Sequence, residues 1–205
     1  MVELGSRAVD TPLGRVVIEA SREGLTRIQY SDESVNDCGV GRAHLDAGEA
    51  WLSGYFDGSP TSEPKLDLSN LTRFRAKVAR TLIQGTRFGE VVSYGELAIA
   101  AGSPRASRAV GSAMADNPWT LLVPCHRVVR SDGVIGNYSA LDGGATKRWL
   151  LSHEGQQFDS LDPIDVLHEP PSVDEFAAGA VDHPGRQESR GTGPGRRTGD
   201  RSSVL

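Results

Sequence analysis

Two side chains able to do covalent chemistry stand together in this chain. Cys125 and His126 lie at the centre of Leu121-Leu122-Val123-Pro124-Cys125-His126-Arg127-Val128-Val129. A thiolate is a strong nucleophile, and an imidazole can take a thiol proton near neutral pH. The flanks are apolar, so the pair is expected to be buried. Pro124 fixes φ and removes a backbone donor just before the cysteine, which sets how the thiol is presented. In extended backbone, neighbouring side chains point to opposite faces. Cys125 and His126 therefore meet only if the chain turns there, or if a water joins them. A lone buried cysteine more often serves as a small hydrophobe, so a functional reading depends on its surroundings.

Those surroundings form an ordered set. Upstream are Val92-Ser93-Tyr94-Gly95-Glu96-Leu97-Ala98, then Ser107-Arg108-Ala109-Val110-Gly111-Ser112-Ala113-Met114, then Asn117-Pro118. Downstream are Gly133-Val134-Ile135-Gly136-Asn137-Tyr138-Ser139, then Lys147-Arg148-Trp149-Leu150-Leu151 and Glu154. From about Thr72 to Gly155 this pattern resembles the O6-alkylguanine-DNA alkyltransferase family. The resemblance implies a DNA repair protein that turns O6-alkylguanine out of a duplex and moves the alkyl group irreversibly to Cys125. His126 would accept the thiol proton through a water, and Glu154 would hold and charge that histidine. Asn117 would brace the turn that carries the site. Tyr94 would crowd the phosphate of the target nucleotide and reach a ring nitrogen, while Ser139 would reach O6. The Val128 carbonyl would accept from the exocyclic amine, and Asn137 and Tyr138 would complete the pocket wall. Arg108 matches the family's arginine finger, which fills the gap left in the base stack. The product is a thioether with no easy hydrolytic exit and no second thiol to resolve it. Each molecule is therefore expected to act once, without metal or organic cofactor.

Several elements must position these groups. Ser69 or Asn70 is expected to cap a helix from Leu71 to about Gln84, with Phe74, Val78 and Leu82 on its buried face. Ser93, with Glu96 three residues on, forms a capping box for a short helix reaching about Ala101. Gly102-Ser103-Pro104 is a turn, and Arg105 to Ala115 a second helix, which together read as a helix-turn-helix. Ser107, Ala109 and Gly111 belong to a helix of almost uniformly small side chains. They could serve close helix packing, or entry into the minor groove, which is about half as wide as the major groove. The family resemblance favours the groove. The helix lacks the Asn, Gln and multiple Arg that read base edges, so binding to duplex DNA is expected to be largely independent of sequence. O4-alkylthymine is a further candidate lesion. Ahead of these elements, Leu13 to Ala20 and Leu25 to Tyr30 read as a β-hairpin and His44 to Phe56 as a helix, with Leu45, Trp51, Leu52 and Tyr55 as core. Leu66 and Leu68 suggest a short returning strand. The expected fold class is α/β. A small α/β N-terminal domain (residues 1–68), with no visible chemistry, supports a mainly helical alkyl-acceptor domain (69–158) and is followed by a disordered tail (159–205).

Charge distribution is informative where the total is not. The 205 residues carry a net −5, but the motif-bearing segment 60–158 carries +4 between flanks of −5 and −4. That fits modest, salt-sensitive phosphate binding. With two cysteines, Cys38 and Cys125, a disulfide framework and a cysteine-rich zinc site are both disfavoured. No apolar run is long enough to span a bilayer, and the first residues lack a signal-peptide pattern. A cytoplasmic monomer is expected. Two departures from the family pattern concern the range of alkyl groups. Ala140 to Thr146 looks about two residues longer than in the shorter family versions and was expected to bring Asp142 near the pocket. Asn117-Pro118-Trp119-Thr120 lacks the second proline that some members place against the alkyl group. Three rivals fit less well. A non-catalytic alkyltransferase-like binder would lack Cys125. A transcription regulator would need base-reading residues, and a cysteine hydrolase an oxyanion hole and a distant histidine.

Overall fold

A computed structural model describes residues 3–158. Three strands come first: β1 (Gly5–Thr11), β2 (Gly14–Ala20) and β3 (Leu25–Tyr30), joined as an antiparallel meander. The β2–β3 hairpin follows the β-branched run and the turn at Ser21–Gly24. Strand β1 is an addition to the expected pair, because Gly5-Ser6-Arg7-Ala8-Val9-Asp10-Thr11 has little apolar alternation to announce it. Helix α1 (Arg42–Phe56) packs on the sheet through Leu45, Trp51, Leu52 and Tyr55. The strand expected at Leu66 and Leu68 is only an isolated bridge to Leu25, made by Leu25 N–H to the Lys65 carbonyl and Asp67 N–H to the Leu25 carbonyl, each 2.9 Å.

Helix α2 (Arg73–Gly85) is capped by Thr72, whose side-chain oxygen accepts the Arg75 N–H at 3.3 Å. Ser69 and Asn70 do not cap it, because Leu71 N–H bonds back to the Leu68 carbonyl and residues 68–71 form a turn. Strand β4 (Val92–Ser93) leads into α3 (Tyr94–Ala100), where the Ser93–Glu96 capping box forms in both directions. Helix α4 (Ser107–Ala115) begins two residues later than expected. Residues 125–127 make one 3₁₀ turn, β5 (Val128–Val129) pairs parallel with β4, and α5 (Gly144–His153) closes the described chain. One large apolar cluster spans the sheet and the helices, and Val129, Ile135 and Leu151 form a smaller second one. Ile18, Leu25 and Ile28 of the sheet, Leu52 of α1, Val78 and Leu82 of α2, and Val110 of α4 belong to the large cluster, which also contains Cys125. Among the described residues no helix is long and apolar enough to cross a membrane. The segment 159–205, expected to be a disordered tail, lies outside the described residues.

Candidate active site

The loop that carries the cysteine is fastened to the sheet. Ile28 N–H donates to the Pro118 carbonyl and Thr120 N–H to the Ile28 carbonyl, both at 2.8 Å, so residues 118–120 extend the edge of β3. The Trp119 indole N–H donates to the Leu25 carbonyl at 2.8 Å. Trp119 therefore turns into the core, and Thr120 beside it is buried. Leu121 follows with φ +72, spanned by a bond from Leu122 N–H to the Thr120 carbonyl. Such a turn is strained by about 1–3 kcal/mol and persists only where packing dictates it. Every residue from Leu121 to Val129 is buried.

Asn117 holds this loop in shape. Its amide N–H groups reach the Val123 carbonyl at 2.8 Å, the Trp119 carbonyl at 3.3 Å and the Cys125 sulfur at 3.2 Å. Its amide oxygen accepts Trp119 N–H at 3.0 Å. Burial pushes the Cys125 thiol above its ordinary pKa, while the Asn117 amide and the Lys147 ammonium pull the other way. Lys147 is fully buried and donates to the Val128 carbonyl at 2.6 Å. Burial drives its pKa down to about 8, and a charged Cys125 would raise it. The Val128 carbonyl, expected to face the substrate amine, thus already serves Lys147 with one lone pair. β4–β5 pairing places Val92 beside Val128, which brings Tyr94 to the cysteine loop.

The chain does turn at Cys125–Arg127, yet no hydrogen bond joins the thiol to the imidazole. His126 points inward and its Nε2–H donates to Glu154 Oε1 at 2.8 Å. The carboxylate can only accept, so the proton sits on Nε2 and Nδ1 keeps its lone pair. Nδ1 is buried with no partner among the described residues. Glu154 accepts four further bonds: Tyr55 O–H on Oε1 at 2.8 Å, Arg127 Nη2 on Oε1 at 3.1 Å, Arg127 Nε on Oε2 at 2.8 Å, and Gly89 N–H on Oε2 at 3.2 Å. Burial alone would raise its pKa, but His126 and Arg127 overcome that and hold it at about 2. Burial lowers the His126 pKa against the pull of Glu154, so the imidazole is kept neutral. Gly89 is required here. Its φ is +82, and a Cβ would lie 2.7 Å from the Glu154 carbonyl oxygen.

Cys125 opens on a cavity of about 480 Å³ whose walls include Tyr94, Gly111, Met114, Asn137, Tyr138 and Ser139. Tyr94, Asn137, Tyr138 and Ser139 are thus gathered as the motifs suggested, with Asn117, His126, Val128 and Glu154 behind the wall, and Gly111, expected only on the DNA-facing surface of its helix, also lines the cavity. Burial, then the charge of a Cys125 thiolate, raises the Tyr94 and Tyr138 phenols, so both remain hydroxyl donors. Asp142 does not reach this cavity. It is exposed, and its backbone N–H bonds to the Thr146 hydroxyl as the chain enters α5. The last three residues of the longer stretch are the first turn of that helix. On α4 the buried side is Val110, Ala113 and Met114, whereas Ser107, Arg108, Ala109, Ser112 and Ala115 are exposed. Close packing therefore does not explain most of the small residues. Tyr55, Arg127 and Lys147 are the participants that sequence reasoning missed. Tyr55 had been read as core alone, and a buried Lys flanked by Thr146 and Arg148 gives no local sign of burial.

Residues 73–156 match the family model described as the DNA-binding domain of 6-O-methylguanine DNA methyltransferase. The segment that carries the site thus matches the DNA-binding domain of a DNA methyltransferase family. The methylated-DNA–protein-cysteine methyltransferase of Rattus norvegicus is 39% identical over 170 residues, covering 72% of this chain and 80% of that protein. The Homo sapiens protein of the same name is 36% identical over 182 residues, covering 76% and 82%. Among solved structures, the Mycobacterium tuberculosis O6-methylguanine methyltransferase superposes with a TM-score of 0.63 at 31% identity, over 74% of this chain and 93% of that one. Mycobacterium tuberculosis OGT in complex with DNA gives 0.62 at 32% identity, over 73% and 91%. The chain belongs to the methylated-DNA–protein-cysteine methyltransferase family, whose members are DNA repair enzymes.

Proposed function

We propose that this protein repairs duplex DNA by turning O6-alkylguanine out of the stack and transferring its alkyl group, once per molecule, to Cys125. A modified O6 inside a paired duplex is beyond the reach of a protein thiol, and extruding a damaged base costs only a few kcal/mol. Helix α4, presented by α3 and the turn between them, enters the minor groove with its exposed small face. The M. tuberculosis complex with DNA supports this partner. Arg108 is exposed and has no ion-pair partner among the described residues. It is free to fill the gap in the stack, while Tyr94 borders the cavity that receives the base. Contacts to backbone and groove width give little base reading, so one monomer treats many sequences alike.

The observation that carries the chemistry is the orientation of His126. Glu154 fixes the proton on Nε2, which leaves Nδ1 to receive the Cys125 proton through a water. Sulfur then attacks the alkyl carbon, the carbon–O6 bond breaks, and the electron pair goes to the guanine. Tyr94 and Ser139 donate toward the ring nitrogen and O6, where negative charge develops. Asn117 keeps the thiol in line, and Lys147 favours its charged form. The thioether cannot be hydrolysed back. The test is intact-protein mass spectrometry with peptide mapping after incubation with an O6-methylguanine duplex. One methyl on the Cys125 peptide is expected, and none in Cys125→Ser, which still retains the duplex. A methyl on any other residue, or none in the native protein, contradicts the reading.

A further inference from the structure

We propose that Tyr55 is a positioning residue for alkyl transfer: its hydroxyl, delivered from α1, sets the orientation and hydrogen-bonding strength of the carboxylate behind His126. The inference rests on the transfer to Cys125 proposed above. Tyr55 O–H and His126 Nε2–H donate to the same oxygen, Glu154 Oε1, each at 2.8 Å. The tyrosine oxygen is 3.4 Å from Nε2, as two donors converging on one acceptor must be. Arg127 already neutralises the carboxylate through Nε and Nη2, and Gly89 N–H adds a further bond. Tyr55 is therefore not needed to balance the charge. A core position would accept phenylalanine, and a buried hydroxyl is costly unless bonded. Here the hydroxyl is spent on the one oxygen that the imidazole uses.

The ring cannot swing away. It stacks on Trp51 with centroids 5.5 Å apart and meets Phe56 at 5.2 Å and Phe88 at 5.7 Å edge-on. The other polar or charged groups facing this pair are few. Arg127 comes from the 3₁₀ turn, Lys147 and His153 from α5, Tyr138 from the cavity wall, and Glu63, which interacts with Arg127, from the segment after α1. Burial, and then the Glu154 charge, keep the Tyr55 phenol protonated at all working pH values. It is thus a constant donor. By drawing electron density from Oε1 it weakens the hold of the carboxylate on an imidazolium, and so keeps His126 neutral and able to accept the thiol proton. The sheet-side layer then contributes to the reaction itself and does more than carry the helical part.

The test is the single-turnover methyl-transfer rate against pH for the native protein, Tyr55→Phe, and Leu45→Val as a control for loss of core packing on α1 away from Tyr55. Tyr55→Phe is expected to reach the same endpoint of one methyl on Cys125. Its plateau rate should be roughly tenfold lower, and its acid limb should lie higher by roughly half a pH unit or more. Leu45→Val should leave the acid limb where it was. Placing 3,5-difluorotyrosine at position 55 strengthens the donor with little change of size, and should move the limb to lower pH. An acid limb that stays put for both Tyr55 replacements overturns the inference while leaving transfer intact. Absence of an adduct in the native protein overturns the underlying reading, and this inference with it.

Discussion

The loop from Leu121 to Val129 and helix α4 are both assigned to function, and they are built in opposite ways. In the loop every residue is buried, and the polar atoms of His126, Arg127 and the Asn117, Lys147 and Glu154 that brace it are committed to one another, to backbone, to the Cys125 sulfur or to the Tyr55 hydroxyl, His126 Nδ1 excepted. On α4 five of nine residues are exposed, no side chain caps its first turn, and Arg108 has no ion-pair partner among the described residues. The difference fits the tasks proposed for the two regions. Proton transfer and displacement need fixed geometry in a dry, low-dielectric surround, where each dipole counts for more. Engaging a polyanion needs charge and donors left uncommitted until it arrives. Strain is placed accordingly, with Leu121 at φ +72 inside the rigid loop.

Mutations in the two regions should therefore separate stability from DNA engagement. The largest effect is expected from Arg127→Met, which leaves the buried Glu154 charge without its main partner. Denaturant unfolding should report a loss of about 3–5 kcal/mol. Arg108→Ala should alter stability by less than about 0.5 kcal/mol. It should nonetheless slow transfer from duplex DNA by roughly tenfold, while transfer from the free O6-methylguanine nucleoside is unchanged. Equal slowing on both substrates would remove Arg108 from the DNA face.

Acid should also act on the buried region. The Glu154 carboxyl is held at about 2 against an ordinary value of 4.5, so between those values the unfolded chain binds more protons than the folded one. The stability contributed by Glu154 is complete above about 4.5 and drains away as pH falls toward 2. His126, buried neutral, adds a loss that begins below its ordinary value of 6.5. Unfolding measured along a pH series should show both, and Glu154→Gln should flatten the lower window. The smallest effect is expected at Gly111. A Cβ there meets only Tyr94 Cε1, at 4.0 Å, and the residue is helical. Gly111→Ala should stabilise by up to about 1 kcal/mol, and should weaken duplex binding a few-fold by thickening the groove face.

What could be read from sequence divides along the same line. The Ser93–Glu96 capping box, the β2–β3 hairpin and the apolar faces of α1 and α2 are local patterns, and the structure has them. Cys125, His126 and Glu154 were legible through ordered motifs, and they do lie together. Tyr55 and Glu154 are 99 residues apart, so the bond between them leaves no trace in local spacing. Lys147 looks like a surface lysine until α5 packs it beneath Val128. Asp142 was expected near the pocket because of where it falls in the motif order, and the motif alone does not say where Trp119 points. Trp119 turns into the core and Asp142 to solvent, since backbone pairing with β3 and entry into α5 decide their directions. The Thr72 cap was misplaced because Ser69 and Asn70 are equally good capping types, and only the turn at 68–71 excludes them.

The most direct test of the central claim is a stoichiometric titration. A fixed amount of protein is incubated with increasing O6-methylguanine duplex until no further change occurs, and the unmodified guanine produced is counted. A plateau is expected at one guanine per protein molecule, with every Cys125 methylated and activity not restored on standing. Guanine released beyond one equivalent, with Cys125 still free, would contradict it and would mean that the cysteine turns over.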